Sequence, residues 1–138
     1  MNIEYKINTP VSTKKFIQLL TQSTLAERRP VNNYECIDGM INNSNLIISA
    51  WHNKKLVGIA RSVTDFHYAC YLSDLAVDQQ YQRNGIGLKL QSITQKQLGS
   101  ECKLILIAAP AANAYYKHIG FTQNERCWVL ERNQKINS

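Results

Sequence analysis

Apolar and polar residues alternate along the first part of the chain with the two periods that distinguish strands from helices. Residues 3–7 alternate between apolar and charged side chains, which predicts a half-buried strand that ends at residues 9–10. A serine or threonine at 12–13 can cap a helix to about residue 21, because the apolar residues that follow share one helical face. An asparagine at 32–33 can cap a second helix, while residues 23–31 between the two helices are less regular.

The rest of the chain alternates strand-like runs with helix-like runs. Residues 46–51 and 56–64 are β-rich and flank a short polar turn, so they predict an antiparallel hairpin. The further predicted elements are a strand at 71–77, a helix at 85–97 capped by Gly99, a buried strand at 103–109, a helix at 111–119, an edge strand starting at 121–122 and a last strand at 127–132. The helix between the fourth and fifth strands forms a crossover, so these two strands should be parallel. No linker or internal repeat divides the chain, and we predict one α/β domain over residues 1–138.

Composition narrows the class of protein. The apolar content of 44% and the charged content of 19% are ordinary for a globular protein in water, and no apolar run approaches the 18 or so residues that cross a bilayer. The N-terminus has no basic region followed by an apolar stretch, so we expect no secretory signal, no membrane association and a cytoplasmic location. The four cysteines are far apart and no histidine completes a zinc pattern, so we expect reduced thiols and no metal.

The net charge of +6 raises the question of nucleic acid as a partner. The basic residues include scattered doublets, Lys14-Lys15, Arg28-Arg29 and Lys54-Lys55, without the clustered basic and aromatic pattern of an RNA-binding surface. We therefore expect no nucleic-acid partner. A basic balance also suits a polyanionic small molecule, through long-range attraction.

The clearest chemical signal is a loop with two glycines between the fourth strand and the third helix, Gln82-Arg83-Asn84-Gly85-Ile86-Gly87. The first turn of a helix leaves backbone N–H groups unpaired at the positive end of the helix dipole, and glycines allow a phosphate to approach the main chain. Two other glycine motifs are excluded. A GxxxxGK[ST] loop needs a lysine and a hydroxyl after its second glycine, and a GxGxxG fingerprint needs a glycine where Leu90 stands.

The loop matches the [QR]xxGx[GA] signature, and the chain resembles the GNAT superfamily of acyl-CoA-dependent N-acetyltransferases. The resemblance extends to the strand at 72–77 and to residues 112–121, which look like the family's helix ending in Tyr, three residues and Gly-Phe. It implies a mixed, mostly antiparallel sheet of about six to seven strands with about four flanking helices, and a fourth and fifth strand that are parallel and splayed. It also implies acetyl-CoA as co-substrate, no metal, and an amine-bearing small molecule as acceptor, and it leaves a homodimer open.

The resemblance assigns the cofactor contacts to two adjacent stretches. In the family the glycine loop holds the pyrophosphate of acetyl-CoA, and a bulge in the fourth strand frees main-chain groups for the pantetheine arm and the thioester carbonyl. The residues that match are Leu75, Ala76 and Val77 on the strand and Gln82, Arg83, Asn84, Gly85, Ile86, Gly87 and Leu88 in the loop. One position departs from the family: an Asn that contacts CoA often stands where this chain has Ala109, and Asn113 is the residue considered in its place.

Acetyl transfer to an amine also needs proton transfers. At pH 7 only about one lysine-like amine in several thousand is neutral, so a base or a water path for its proton is valuable. Tyr116 occupies the family's tyrosine position and is predicted to contact CoA and to protonate the departing thiolate, unless it only packs in the core. Asp74 is the predicted base, with Glu35 as a weaker choice; alternatively, Asp74 satisfies backbone donors and water carries the proton.

The acceptor is predicted from four residues. Arg28 and Arg29 stand where the family usually forms one wall of the acceptor site, and they would select an amine with an acidic group unless both are solvated. Tyr71 and Ser73 would line the acceptor side, on the face opposite to Asp74, if the fourth strand is regular. The predicted activity is acetyl transfer from acetyl-CoA to a primary amine of a small molecule, by direct attack on the thioester. The alternatives are a protein or peptide N-acetyltransferase and a CoA-binding regulatory module without catalysis.

Overall fold

Five strands form one sheet, in which neighbours in space are also neighbours along the chain. In this computed structural model, which describes residues 1–137, they are β1 (Glu4–Ile7), β2 (Leu46–His52), β3 (Lys55–Thr64), β4 (Ala69–Val77) and β5 (Lys103–Ile105). β1 to β4 pair antiparallel, and β4 pairs parallel with β5. The parallel pair follows a crossover through a helix, as predicted, so the mixed and mostly antiparallel sheet is confirmed.

The first two helices begin where the sequence supplies a capping side chain. The helices are α1 (Thr13–Ser23), α2 (Tyr34–Asn42), α3 (Ile86–Lys96) and a short α4 (Asn113–His118). The Ser12 hydroxyl accepts a hydrogen bond from the Lys15 N–H at 3.2 Å, and the Asn33 side chain accepts one from the Cys36 N–H at 3.0 Å. Both predicted caps are confirmed. In each, the side-chain oxygen accepts a hydrogen bond from an N–H group of the first turn that has no carbonyl partner within the helix.

The sheet separates two apolar clusters. On one face, the side chains of α1 and α2 pack with those of β2 to β4; the buried members are Val11, Phe16, Leu19, Leu20, Ile37, Ile41, Ile47, Leu56, Ile59 and Ala76. On the other face lie Ile86 and Leu90 of α3 with Leu46, Ile48, Ala50, Val57, Ala60, Cys70 and Leu72. Burial of each large apolar side chain contributes about 1.5–3 kcal/mol. The two clusters fix β4 between the helical layers and place its C-terminal end before α3.

Three predicted features near the C-terminal end are wrong. β5 is shorter than the predicted strand at 103–109, and residues 121–137 contain no strand. Trp128, Val129 and Leu130 are more than half exposed, and their β-forming composition alone is not enough to form a strand. The sheet of the described residues therefore has five strands in place of about six to seven.

Gly99 does not cap α3. The helix closes with bonds from the Gln97 N–H to the Thr94 carbonyl at 3.1 Å and from the Leu98 N–H to the Gln95 carbonyl at 3.0 Å. The Gly99 N–H instead donates to the Phe66 carbonyl at 2.8 Å. A Cβ at Gly99 would lie 3.1 Å from that carbonyl oxygen, so the glycine serves a close approach of two backbone segments.

The chain forms two compact units, Met1–Leu106 and Ile107–Ser138. The first holds the sheet and α1 to α3, and the second holds α4, preceded by a 3-10 turn at Pro110–Ala112. The single domain predicted over residues 1–138 stays a prediction. None of the helices among the described residues is both long and apolar enough to cross a membrane.

Candidate active site

The loop between β4 and α3 is shaped by its own side chains. Asp78 caps a 3-10 turn (Gln79–Tyr81) by accepting a hydrogen bond from the Gln80 N–H at 2.9 Å. The Asn84 side-chain amide donates to the carbonyl of Tyr81 at 3.0 Å and to that of Gln82 at 3.2 Å. These bonds fix a compact turn that delivers the chain to Gly85, the residue that precedes α3.

The first turn of α3 presents backbone donors without a cap. Gly85 has the left-handed φ of 76°, which glycine adopts without strain, and it supplies no side-chain cap. Its carbonyl accepts from the Lys89 N–H at 3.0 Å, so the N–H groups of Ile86, Gly87 and Leu88 precede the first intrahelical bond. No acidic residue lies in this turn. The arrangement fits an anionic group such as a pyrophosphate, whose charge the helix dipole favours.

Gly87 leaves room beside this turn. A Cβ there would meet only the Val77 side chain at 3.8 Å, an ordinary contact distance. Unlike Gly85, it does not have a positive φ. A larger side chain at Gly87 would therefore change the space at the helix N-terminus without straining the backbone. The individual CoA contacts predicted for residues 82–88 stay predictions.

The bulge in β4 lies at Ser73, two residues earlier than the stretch Leu75 to Val77 that the sequence assigned to it. On β3, Arg61 and Ser62 are adjacent, but their partners on β4 are Asp74 and Leu72, so Ser73 is the extra residue. Beyond the bulge, Leu75, Ala76 and Val77 pair with β3 again. The parallel pairing between β4 and β5 covers only Ala69 to Tyr71 on β4. In the strand pairing of the described residues, Leu75 to Val77 therefore pair with β3 and not with β5.

The bulge reverses the alternation of side chains along β4. Tyr71 lies opposite Val63, and Asp74 lies opposite Arg61. Val63 and Arg61 are two residues apart on β3 and so point to the same face, which places Tyr71 and Asp74 on one face as well. The prediction that Tyr71 lies on the face opposite to Asp74 is therefore wrong, because it assumed a regular strand, whereas Ser73 is the bulge residue and has no partner in the β3–β4 register.

Two arginines hold the bulge through Asp74 and Ser73. Asp74 is fully buried, with Oδ1 2.5 Å from the Arg29 Nε and Oδ2 2.5 Å from the Arg61 Nε. The Arg29 Nη2 donates to the Ser73 carbonyl at 2.8 Å, and the Arg61 Nη2 donates to the Ser73 hydroxyl at 2.9 Å. Arg61, only 5% exposed, also donates from Nη1 to the Ser44 hydroxyl at 2.9 Å. Charge-assisted bonds of this kind are the strong ones, and here they converge on one residue pair.

This geometry favours a structural role for Asp74. A general base must come within hydrogen-bond distance of the proton that it removes. Both carboxylate oxygens of Asp74 already accept from guanidinium groups, and the side chain has no exposed surface. The base role stays a prediction that this geometry does not favour.

The predicted acceptor residues differ in their freedom to bind a ligand. The Arg29 guanidinium is occupied by Asp74 and by the carbonyls of Ser73 and Arg28. Arg28, by contrast, is exposed, as are Tyr71 at 39% and Glu35 in the first turn of α2. Arg28 and Tyr71 are therefore better placed than Arg29 to meet a ligand from solvent.

Tyr116 lies in α4 of the second unit. Its ring makes edge-to-face contacts with Phe121 at 5.4 Å and with Tyr115 at 5.2 Å between ring centroids. Burial, and to a smaller degree Tyr115, raise the pKa of the Tyr116 phenol above its ordinary value of 10.0. The phenol thus keeps its proton at neutral pH, as a proton donor requires. Asn113, the first residue of α4, is exposed.

Arg61 is the site residue that the sequence prediction missed. It was included in a β-rich run, but a charged residue inside an apolar strand is buried only when it is paired. Asp74, in the next strand along the chain, is the matching carboxylate. The presence of one basic and one acidic residue in two neighbouring predicted strands was the sequence signal that could have indicated this buried ion pair.

Among the described residues, no group of three or more histidine, cysteine, aspartate or glutamate side chains could hold a metal ion.

Comparison with known proteins relates the chain to acetyltransferases. Residues 18–131 match the family model of the acetyltransferase (GNAT) domain. An uncharacterized N-acetyltransferase, ycf52-like, from Prochlorococcus marinus is 31% identical over 129 residues, which cover 85% of this chain and 69% of that protein.

Solved structures with a similar fold are acetyltransferases too. A probable acetyltransferase from meticillin-resistant Staphylococcus aureus aligns with a TM-score of 0.76 at 17% identity, over 94% of this chain and 100% of that chain. An aminoglycoside N-acetyltransferase, AAC(6')-Iy, in complex with CoA aligns with a TM-score of 0.71 at 12% identity, over 96% of this chain and 95% of that chain. At these identities the likeness is one of fold.

Proposed function

Because the chain belongs to the GNAT family of N-acetyltransferases, we propose that it transfers the acetyl group of acetyl-CoA to a primary amine of a small molecule. The observation that carries the proposal is the uncapped N-terminus of α3 behind Gly85. Three consecutive N–H groups at a helix dipole, with glycine at Gly87, suit the pyrophosphate of CoA. The aminoglycoside N-acetyltransferase of similar fold, which was solved with CoA, supports this assignment.

The main chain of β4 beyond the bulge is proposed to bind the rest of the cofactor. Leu75, Ala76 and Val77 pair with β3, while the described ladder to β5 ends at Tyr71. Backbone N–H and C=O groups that no neighbouring strand uses can form hydrogen bonds with the amide groups of a pantetheine arm. An N–H of this stretch would also stabilise the negative charge on the thioester oxygen in the transition state.

The reaction needs one attack and two proton transfers. The neutral amine nitrogen bonds to the acetyl carbon, the carbon–sulfur bond breaks, the nitrogen loses a proton and the CoA sulfur gains one. Tyr116 is proposed to donate the proton to sulfur, because it occupies the family's tyrosine position and its phenol is protonated at neutral pH. Water is the better proposal for removing the amine proton, since both oxygens of Asp74 are engaged by Arg29 and Arg61.

Arg28 is proposed to select an acceptor that carries an acidic group. Its side chain is exposed, and a guanidinium can bind a carboxylate or phosphate with two parallel hydrogen bonds. Arg29 is less suited, because its donors are already used by Asp74, Ser73 and Arg28. Comparison of matched amines with and without an acidic group, on the wild type and on Arg28→Ala, reports on this part of the proposal.

The central experiment changes Gly87 and measures CoA binding and acetyl transfer separately. Gly87→Glu places bulk and negative charge beside the N–H donors, so CoA affinity in calorimetry should fall roughly a hundredfold. Gly39→Glu is the matched control, because the Gly39 Cβ position has no atom within 4 Å and lies in α2. Gly87 is preferred to Gly85 for this test, since the φ of 76° at Gly85 would add backbone strain to any substitution.

Transfer is followed as release of the CoA thiol with a library of primary amines. Wild type and Gly39→Glu should release thiol with at least one amine, whereas Gly87→Glu should not. Unchanged CoA affinity in Gly87→Glu would contradict the loop as the binding site. Tight CoA binding without thiol release from any amine would contradict the small-molecule enzyme and favour a protein acceptor or a regulatory module.

A further inference from the structure

A cleft of about 550 Å³ opens at the turn between β2 and β3. It is lined by α1 residues Lys15, Gln18, Leu19 and Gln22, by the hairpin residues His52, Asn53, Lys54, Lys55 and Leu56, and by Tyr81. Its volume is in the range of small-molecule sites, about 300–1,000 Å³. The buried side chains of Leu19 and Leu56 and the half-buried ring of Tyr81 give it an apolar floor.

The charge of the lining is one-sided. Lys15, Lys54 and Lys55 contribute three ammonium groups, and none of the described residues that line the cleft is acidic. Three amide side chains and a histidine supply further hydrogen-bonding groups. A concave surface lined by one sign of charge concentrates small ions of the opposite sign.

Two of these cations are held in place by aromatic rings. The Lys15 Nζ lies 5.1 Å from the centre of the Trp51 ring, and the Lys55 Nζ lies 5.6 Å from that of the Tyr81 ring. Lys55 is also 3.2 Å from Oδ2 of Asp78, a carboxylate that is only 3% exposed. A cation held in this way loses less side-chain freedom on binding a ligand than a free surface lysine does.

The wall formed by Tyr81 continues directly into the glycine loop. The Tyr81 hydroxyl is 2.8 Å from Nδ1 of His52, so the hairpin is tied to the 3-10 turn that precedes Gln82. Asp78 links the same two segments through Lys55 and through its own N–H, which donates to the Val57 carbonyl at 2.9 Å. A ligand that engages Lys55 and Tyr81 therefore touches the residues that position this loop.

We propose that this cleft is a binding site for a small anionic metabolite, one with two or more phosphate or carboxylate groups, separate from the site at the N-terminus of α3. The three ammonium groups bind the anionic groups, and Tyr81 and the two leucines contact the body of the ligand. The proposal concerns binding alone and does not depend on acetyl transfer.

Calorimetry with pyrophosphate and with citrate tests the site on the full chain at low ionic strength. Lys15→Gln and Lys54→Gln should each weaken the binding of the preferred probe about threefold to tenfold, the range of a partly exposed charge contact. Lys14→Gln is the matched control, because Lys14 is the neighbouring exposed lysine of α1 but does not line the cleft. It should leave the affinity within about twofold. The preference between the probes tells whether phosphate or carboxylate is the group recognised.

Pyrophosphate could also bind at the N-terminus of α3, so that site is blocked in two independent ways. Probe affinity should persist with saturating CoA present, and it should persist in Gly87→Glu. The experiment with Gly87→Glu remains informative even if the chain does not bind CoA. Loss of probe binding in both arms, equal weakening by Lys14→Gln and Lys54→Gln, or no binding of either probe at millimolar concentration would each overturn the proposal.

Discussion

Tyr116 is the residue proposed to protonate the sulfur of CoA. Burial raises the pKa of its phenol above 10.0, so the proton is held tightly at neutral pH and its donation becomes favourable only to a strong base. The thiolate of CoA is a weaker base than the Tyr116 phenolate, since an ordinary thiol has a pKa of about 8.5. Solvent must therefore return a proton to the phenolate for the transfer to sulfur to go to completion. The direction of this pKa shift also limits the pH profile. Because the pKa of the phenol is above 10.0, deprotonation of Tyr116 cannot cause a loss of activity between pH 7 and 9.

Replacement of Tyr116 by phenylalanine isolates the proton from the packing. Tyr116→Phe keeps the ring that packs edge-to-face on Phe121, so CoA affinity should be unchanged, whereas kcat should fall roughly a hundredfold. Stopped-flow thiol release and calorimetry measure the two quantities. Tyr115→Phe is the control, since Tyr115 also contacts Tyr116 but occupies no motif position. A kcat equal to that of the wild type would remove Tyr116 from the mechanism.

From the sequence, site residues could be proposed where they follow from local motifs, whereas Arg61, which depends on pairing between strands, was missed. The loop residues could be predicted because a helix N-terminus and its glycines are local features. The roles of Asp74 and Arg61 could not, since they depend on which residues face each other across β3 and β4. A bulge of one residue decides that register, and Ser73 itself carries no sequence signal for it.

At the scale of elements, the end of β4 depends on the cluster of Arg29, Arg61, Ser73 and Asp74. The two arginines bind the side chain and the carbonyl of the bulge residue as well as the adjacent carboxylate. Arg29 follows the 3-10 turn after α1, so this cluster also ties the segment between α1 and α2 to the strand that leads to the glycine loop.

Asp74→Asn distinguishes this structural role from that of a base. Removal of one partner leaves two guanidinium groups without their carboxylate, so the free energy of unfolding should fall by about 3 kcal/mol or more in a urea titration. The apparent KM for acetyl-CoA should rise as well, because the bulge orients the strand that follows it. Asp38→Asn is the control: Asp38 lies in α2, is half-buried and accepts a hydrogen bond from the Thr13 hydroxyl at 2.6 Å.

A reduced kcat in Asp74→Asn with unchanged stability and unchanged KM would instead support Asp74 as the base.

Most elements could be predicted from periodicity and capping, up to the end of α3. The caps at Ser12 and Asn33, the β2–β3 hairpin and the parallel β4–β5 pair are confirmed. The prediction failed where apolar content alone was taken as evidence for a strand, at residues 121–122 and 127–132. A strand needs a partner edge and a surface on which to pack, and neither is visible in composition.

At the scale of the whole molecule, the net charge of +6 is the property that bears most directly on cofactor capture. The basic residues are scattered along the chain and give it an overall positive field. Acetyl-CoA carries phosphate groups, so under the proposed function this field should accelerate encounter at low salt and should be screened as salt is added. The helix dipole at α3 acts only at close range and adds to binding after encounter.

The net charge therefore predicts that salt mainly changes the association rate constant for acetyl-CoA. The association rate constant for acetyl-CoA should fall about tenfold between 20 mM and 500 mM sodium chloride, because the Debye length shrinks from roughly 20 Å to less than 5 Å. The dissociation rate constant should change much less, since the N–H groups of α3 bind the ligand at contact distance. Stopped-flow measurement of both rate constants checks this prediction. Pantetheine, which carries no phosphate group, is the uncharged control ligand. Equal association rates at both salt concentrations would show that the basic balance of the chain plays no part in cofactor capture.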